Sequence, residues 1–149
     1  MKRAFRLVTV VVCVVALGVG GFLAYRGGYG NPREDPGSVT GFYIPSDLDD
    51  ALVELDRILG RRGRNEVLWA ETEDEMAVFH FGVGQWMRNN WGLWGNSRLA
   101  NYFTALGVHH PDDMSGIILD SYWRQTHDQP IDLEGQVRYY KEYWEAAPR

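Results

Sequence analysis

Residues 45–60 read PSDLDDALVELDRILG, and within them Leu48, Ala51, Leu52, Leu55, Ile58 and Leu59 recur at intervals of three and four. That period lays one apolar stripe along a helix. Ser46 offers the side-chain acceptor an N-cap needs, Asp49 follows three residues later, and Gly60 is positioned to stop the run. Working toward the C-terminus, the same signals return four times. Thr72 and Glu75 form a capping-box pattern ahead of a stripe made by Met76, Phe79, Val83 and Met87 or Trp86, reaching Asn90. The Trp91-Gly92-Leu93-Trp94-Gly95 stretch reads as a turn. Asn96 or Ser97 then caps a helix with Leu99, Phe103 and Leu106 inward, and Gly107 ends it. Pro111, Asp112 and Asp113 suit the first turn of a fourth helix, whose stripe is Met114, Ile117, Ile118 and Tyr122. Asp132 caps a fifth, with Val137, Tyr140 and Trp144 on one side. The one strand-like stretch is Val67-Leu68-Trp69. These patterns predict an all-α, compact bundle of about five short helices over residues 42–149.

Toward the N-terminus the composition changes twice. Residues 26–41, RGGYGNPREDPGSVTG, hold five glycines and two prolines and little to bury, which predicts a flexible linker. Residues 7–25, LVTVVVCVVALGVGGFLAY, form a nineteen-residue apolar run. At about 1.5 Å per residue such a helix nearly crosses the ~30 Å hydrocarbon layer. Lys2, Arg3 and Arg6 precede it in a basic tail, residues 1–6, so the positive-inside rule predicts a transmembrane signal anchor with the N-terminus in the cytoplasm and the body exported. The competing reading is a cleaved signal peptide ending near Gly18-Val19-Gly20, which exports the body equally.

Charge and cysteine content exclude several functions for the body. Residues 31–149 carry 11 basic and 20 acidic side chains, and their only dense basic cluster is Arg61, Arg62 and Arg64. That balance argues against nucleic acid as a partner. The single cysteine, Cys13, lies in the apolar run, so the body has neither a thiol nucleophile nor a thiolate metal site. His109, His110, Asp112 and Asp113 are metal-compatible residue types, but adjacent histidines diverge, and the group reads as a helix start. The sequence calls for no metal and no cofactor. Asp120, Arg124 and His127 fall at helical spacing and read as an exposed ion pair beside a terminal histidine. Glu71, Glu73, Asp74 and Glu75 read as the solvated N-terminus of a helix.

HFGVGQWMRNNWGLW (80–94), SRLANYF (97–103), HHPDDMSGIIL (109–119) with Tyr122, and LEGQVRYYKEYW (133–144) resemble a bacterial family of small proteins classed as a domain of unknown function. IPSDLDDALVEL (44–55) is similar to its opening helix, so the resemblance spans about residues 43–145. It implies one intact domain and carries no activity. Its WxRNNWGLW stretch holds the most distinctive cluster, Trp86, Arg88, Asn89, Asn90, Trp91 and Trp94, set among Gly82, Gly84, Gly92 and Gly95. Aromatic and arginine side chains are the usual anchors of interfaces. The first expectation is therefore a membrane-tethered, extracytoplasmic protein- or peptide-interaction module using that cluster. An envelope-glycan hydrolase, with an acid among Glu71–Glu75 or Asp112–Asp113, and a purely structural domain are the alternatives. Trp91 and Trp94 flank two residues of a turn, so their rings are not expected to enter the core together.

Overall fold

In the computed structural model, which describes residues 30–147, the first helix, α1 (Leu48–Leu68), is capped by Asp47 rather than Ser46. The Asp47 carboxylate accepts the Asp50 N–H at 2.9 Å. The stripe read from sequence is the buried face, from Leu48 through Leu59. Gly60 does not stop the helix, as expected, but kinks it. At φ 56° and ψ −165° it occupies a region open essentially to glycine alone, and helix resumes to Leu68. Val67 is consequently a buried helical residue, and the strand-like stretch 67–69 is the end of this helix and its C-cap. Gly60→Ala is expected to destabilise the protein by about 1–3 kcal/mol through this backbone strain alone. A urea titration checks it: the midpoint should fall while the slope stays unchanged.

The second helix, α2, is a composite. A 3₁₀ turn (Glu73–Met76) leads into Ala77–Phe79, a π turn (His80–Gly84) and a closing α segment (Gln85–Asn90). The Thr72–Glu75 capping box is absent, because the Thr72 carbonyl already accepts the Glu75 N–H at 3.1 Å in the tight first turn. Gly84 explains part of the glycine content. A Cβ there would meet Arg88 Nη1 and the Phe79 carbonyl at 3.3 Å and Leu119 at 3.4 Å, so the close approach of the later helix uses its bare backbone.

The remaining helices start where the sequence placed them. Ser97 caps α3 (Arg98–Leu106) by accepting the Ala100 N–H, and Gly107, at φ 91°, ends it in the left-handed conformation. His110 caps α4 (Pro111–Thr126), its Nδ1 accepting the Asp112 N–H at 3.2 Å, with Pro111 in the first turn. Asp132 caps α5 (Leu133–Ala146) through the Gly135 N–H. α4 packs against all four other helices and is the centre of the bundle. Ser115, Gly116, Leu119 and Ser121 are therefore buried along with the expected stripe. The described residues thus form an all-α bundle of five helices around one apolar cluster.

Residues 30–43, most of which belong to the stretch expected as a linker, form a strap across α1. The Arg33 backbone N–H and Nε both donate to the Glu54 carboxylate at 2.6 Å, and Nη2 reaches Asp50 at 3.2 Å. Glu34 bridges Phe42 in an antiparallel sense, Thr40 donates to the Asn90 carbonyl, and Phe42 packs edge-on against Trp86. Gly30 donates its N–H to the Ile58 carbonyl beside the kink. The basic tail (1–6) and the apolar run (7–25) lie outside the described residues. Among the described residues no helix is long and apolar enough to cross a membrane.

Candidate functional site

The cluster singled out from sequence divides into two layers. Trp91 is fully buried and meets Trp86 edge to face at 6.0 Å, so both rings are core. Arg88 is also buried, at 7 % exposure. Its Nη1 donates to Ser115 Oγ at 2.9 Å and to the His80 carbonyl at 3.3 Å, while Nε pairs with Asp112 at 2.9 Å. This guanidinium ties the π turn of α2 to the first turn of α4. Asn90 donates to the Trp86 carbonyl and is a local brace; Asn89 is exposed. Of the two turn rings only Trp94 stays outside, at 62 % exposure.

Trp94 is the start of a surface ridge that the sequence reading did not assemble. Its ring meets His110 edge to face at 6.2 Å, and His110 stacks on Trp144 at 5.5 Å. Trp144 meets Tyr143 at 5.4 Å and donates its indole N–H to Asp113 at 2.7 Å. On the other side His110 Nδ1 and His80 Nε2 each lie 3.5 Å from the Asp112 carboxylate, and His80 contacts Phe81, which is 74 % exposed. Phe81, Trp94, Tyr143 and Trp144 thus stand exposed around the N-terminus of α4. Beside them an open cleft of about 790 Å³ is lined by Val108, His109, His110, Asp113, Tyr140 and Trp144.

The electrostatics of the ridge follow from burial. Desolvation, reinforced by Arg88, holds His80 below the ordinary histidine value despite Asp112 and Asp113 nearby, which favours the neutral imidazole. Burial pushes the Asp113 carboxyl up, and the Trp144 N–H only partly offsets this. The His109–Asp113 stretch is a helix start, as expected. Among the described residues no three metal-binding side chains converge.

The sequence reading missed α5 as a contributor. The available signal was its density of rings: Tyr139, Tyr140, Tyr143 and Trp144 fall within six residues, more than one helical face can bury. Trp144, expected on the inward face, is 51 % exposed. The Asp120–Arg124 ion pair is also corrected. Arg124 reaches across to α2 and binds Glu73 through two bonds of 2.9 and 2.8 Å, a bidentate geometry that an i, i+4 neighbour does not offer here. His127 instead stacks on Trp123 at 4.3 Å.

Asp120, half-buried, is pushed up to about 7 by burial and by the Glu73 charge, against a smaller opposing pull from Arg124. A carboxyl whose folded-state value exceeds its unfolded one binds more protons in the folded protein, so stability falls as pH rises from about 4 through about 7. Asp120→Asn is expected to remove that slope, raising the melting temperature at pH 8 while leaving it near the parent's at pH 4. Thermal unfolding across that range measures it, and parallel profiles for the two proteins would refute the assignment.

Residues 44–126 match the family model described as a domain of unknown function, DUF6794, which takes in α1 to α4 and stops short of α5. No curated protein and no solved structure matches the chain.

Proposed function

The chain belongs to the DUF6794 family, and from that premise we propose that it is a protein- or peptide-interaction module, tethered by residues 7–25 to the extracytoplasmic face of a bacterial cytoplasmic membrane. On this reading WMRNNWGLW (86–94) and HPDDMSGIIL (110–119) are the family's signatures. Both frame the ridge: the first supplies Trp94 and the buried Arg88, the second His110 and Asp112. The observation that carries the proposal is the chain of ring contacts from exposed Trp94 through half-buried His110 to exposed Trp144 and Tyr143, over a helix end locked by Arg88. Large rings held rigid by one another lose little entropy on binding. The occupant is a neutral to basic peptide segment, because residues 31–149 carry nine more acidic than basic groups and repel an acidic polymer.

Selection of displayed random peptides against the purified protein tests this. Enriched peptides should carry an aromatic or aliphatic anchor with Lys or Arg, and should lose binding to Trp94→Ala and Phe81→Ala while still binding Trp69→Ala, which removes an exposed tryptophan elsewhere. Equal losses in all three variants would sink the assignment of the ridge.

One observation favours the hydrolase alternative. Asp120, with its raised value, stands within electrostatic reach of Glu73, which Arg124 holds in two hydrogen bonds, and glycoside hydrolysis uses two carboxyls in unlike environments. Neither residue lines the cleft beside the ridge. Release of reducing sugar from cell-wall glycan, abolished by Asp120→Asn, is the result this reading requires.

A further inference from the structure

The structure places the point where the chain enters the domain at the end opposite the aromatic ridge. Gly30 is held to the Ile58 carbonyl at 3.1 Å, and the Arg33–Glu54 clasp fixes the residues that follow. The kinked part of α1 lies at the C-terminal end of α4: Tyr122 donates to Asp56 at 2.7 Å and Trp123 donates to the Ala70 carbonyl at 3.0 Å. His110 and Asp112 of the ridge lie at the other end of α4. Ten residues separate Asp112 from Tyr122, which is about 15 Å of helix.

The entry end has its own surface chemistry. From Arg57 to Trp69 there are four arginines against one acid, Glu66. Arg62 pairs with Glu66, Arg64 with Asp56 and Arg57, at 3.6 Å, with the buried Glu54; Arg57, Arg61 and Arg64 are all exposed. Arg61, Arg64 and Leu68 share one face of the second half of α1, and Leu68 and Trp69 are exposed at its end. Exposed arginines followed by an exposed leucine and tryptophan are the residue types that settle at a lipid headgroup layer. Glu71, Asp74 and Glu75 are exposed in the residues that follow.

We infer that this face of α1, centred on Arg61, Leu68 and Trp69, lies against acidic phospholipid headgroups and holds the ridge pointing away from the membrane. The inference rests on the reading that residues 7–25 span the bilayer. Gly30 then follows the span by five residues, which extend at most about 18 Å, so the entry end stays within reach of the surface and the ridge end does not. Paired charges in the patch are no obstacle, because the exposed Arg61 remains presented to anionic lipid.

The test uses the full chain in vesicles of phosphatidylcholine with or without phosphatidylglycerol. In a Cys13→Ser background, a fluorophore is attached at Leu68→Cys or, near the ridge, at Asn96→Cys, and quenching by headgroup-labelled lipid is compared. The Leu68 position should be quenched several times more strongly in vesicles containing phosphatidylglycerol. The difference should shrink at ~1 M salt, where the screening length falls to about 3 Å. It should shrink likewise with Arg61→Glu, an exposed position clear of the Arg33–Glu54 clasp. Equal quenching at both positions in a chain that still floats with the vesicles would overturn the orientation and leave the anchor standing. A chain that does not float with vesicles would remove the anchor, and the inference with it.

Discussion

Trp91→Ala is expected to cost about 3–5 kcal/mol, a large part of the stability of a domain this size, whereas Trp94→Ala should cost less than about 1 kcal/mol. The two tryptophans stand three residues apart in one turn and differ only in which side of it they face. Trp91 is fully enclosed, against Trp86 and the core, while Trp94 has 62 % of its surface in water. Removing the first leaves a cavity that helices tied together by Arg88 cannot close by moving. Removing the second leaves solvent. Denaturant unfolding of the two variants measures the contrast directly. Trp91→Phe sharpens the test: the Trp91 indole nitrogen is buried without a hydrogen-bond partner, so phenylalanine loses volume but also removes an unsatisfied donor, and should cost much less than alanine. Comparable losses at positions 91 and 94 would mean that Trp94 is packed in solution and would withdraw the ridge.

Arg33→Ala should destabilise the fold by about 2–4 kcal/mol, although position 33 lies in a glycine- and proline-rich stretch. Its partner Glu54 has no exposed surface, and its carboxylate is held by the Arg33 backbone N–H and Nε, with Arg57 at 3.6 Å. Deleting the guanidinium strands a buried charge. The loss falls below that of a wholly buried pair because the Arg33 side chain is 36 % exposed and Arg57 remains. Arg33→Lys should recover only part of it, since an ammonium cannot span Glu54 and Asp50 as the guanidinium does, nor lie flat on the Tyr43 ring 3.6 Å away. Glu54→Met combined with Arg33→Ala should be more stable than Arg33→Ala alone, because the apolar side chain removes the stranded charge. If Arg33→Ala instead unfolds at the parent's urea concentration, the strap contributes no stability and its contacts are incidental.

The two variants probe the places where sequence and structure parted. Local signals were sufficient for the helices themselves. The stripe from Leu48 to Leu59, the Ser97 and Asp132 caps, the left-handed Gly107 and the Pro111 first turn each depend on neighbours within four residues, and each stands where the sequence put it. They determined the all-α class and the number of helices.

What lay beyond reach of local rules was every decision made by a residue far away in the chain. Gly60 reads as a stop, but burial of Val67 beneath the bundle draws the helix onward past a kink. Glu54 reads as a solvated position until the strap, 21 residues earlier, covers it. Arg124 hydrogen-bonds not Asp120, four residues away, but Glu73, 51 residues away, and the Asp120 carboxyl is left half-buried with its value pushed up to about 7. The ridge is the clearest case. Its members come from α2, the turn before α3, the start of α4 and the end of α5, and no spacing in the sequence links Phe81, Trp94, His110 and Trp144. The sequence by itself determined which segments coil and which faces are apolar, because those follow from backbone hydrogen bonding and the 3.6-residue turn. Only tertiary structure decided which of the surplus aromatic rings went inside, because a core of fixed volume around α4 takes Trp86 and Trp91 and leaves Trp94 and Trp144 in solvent.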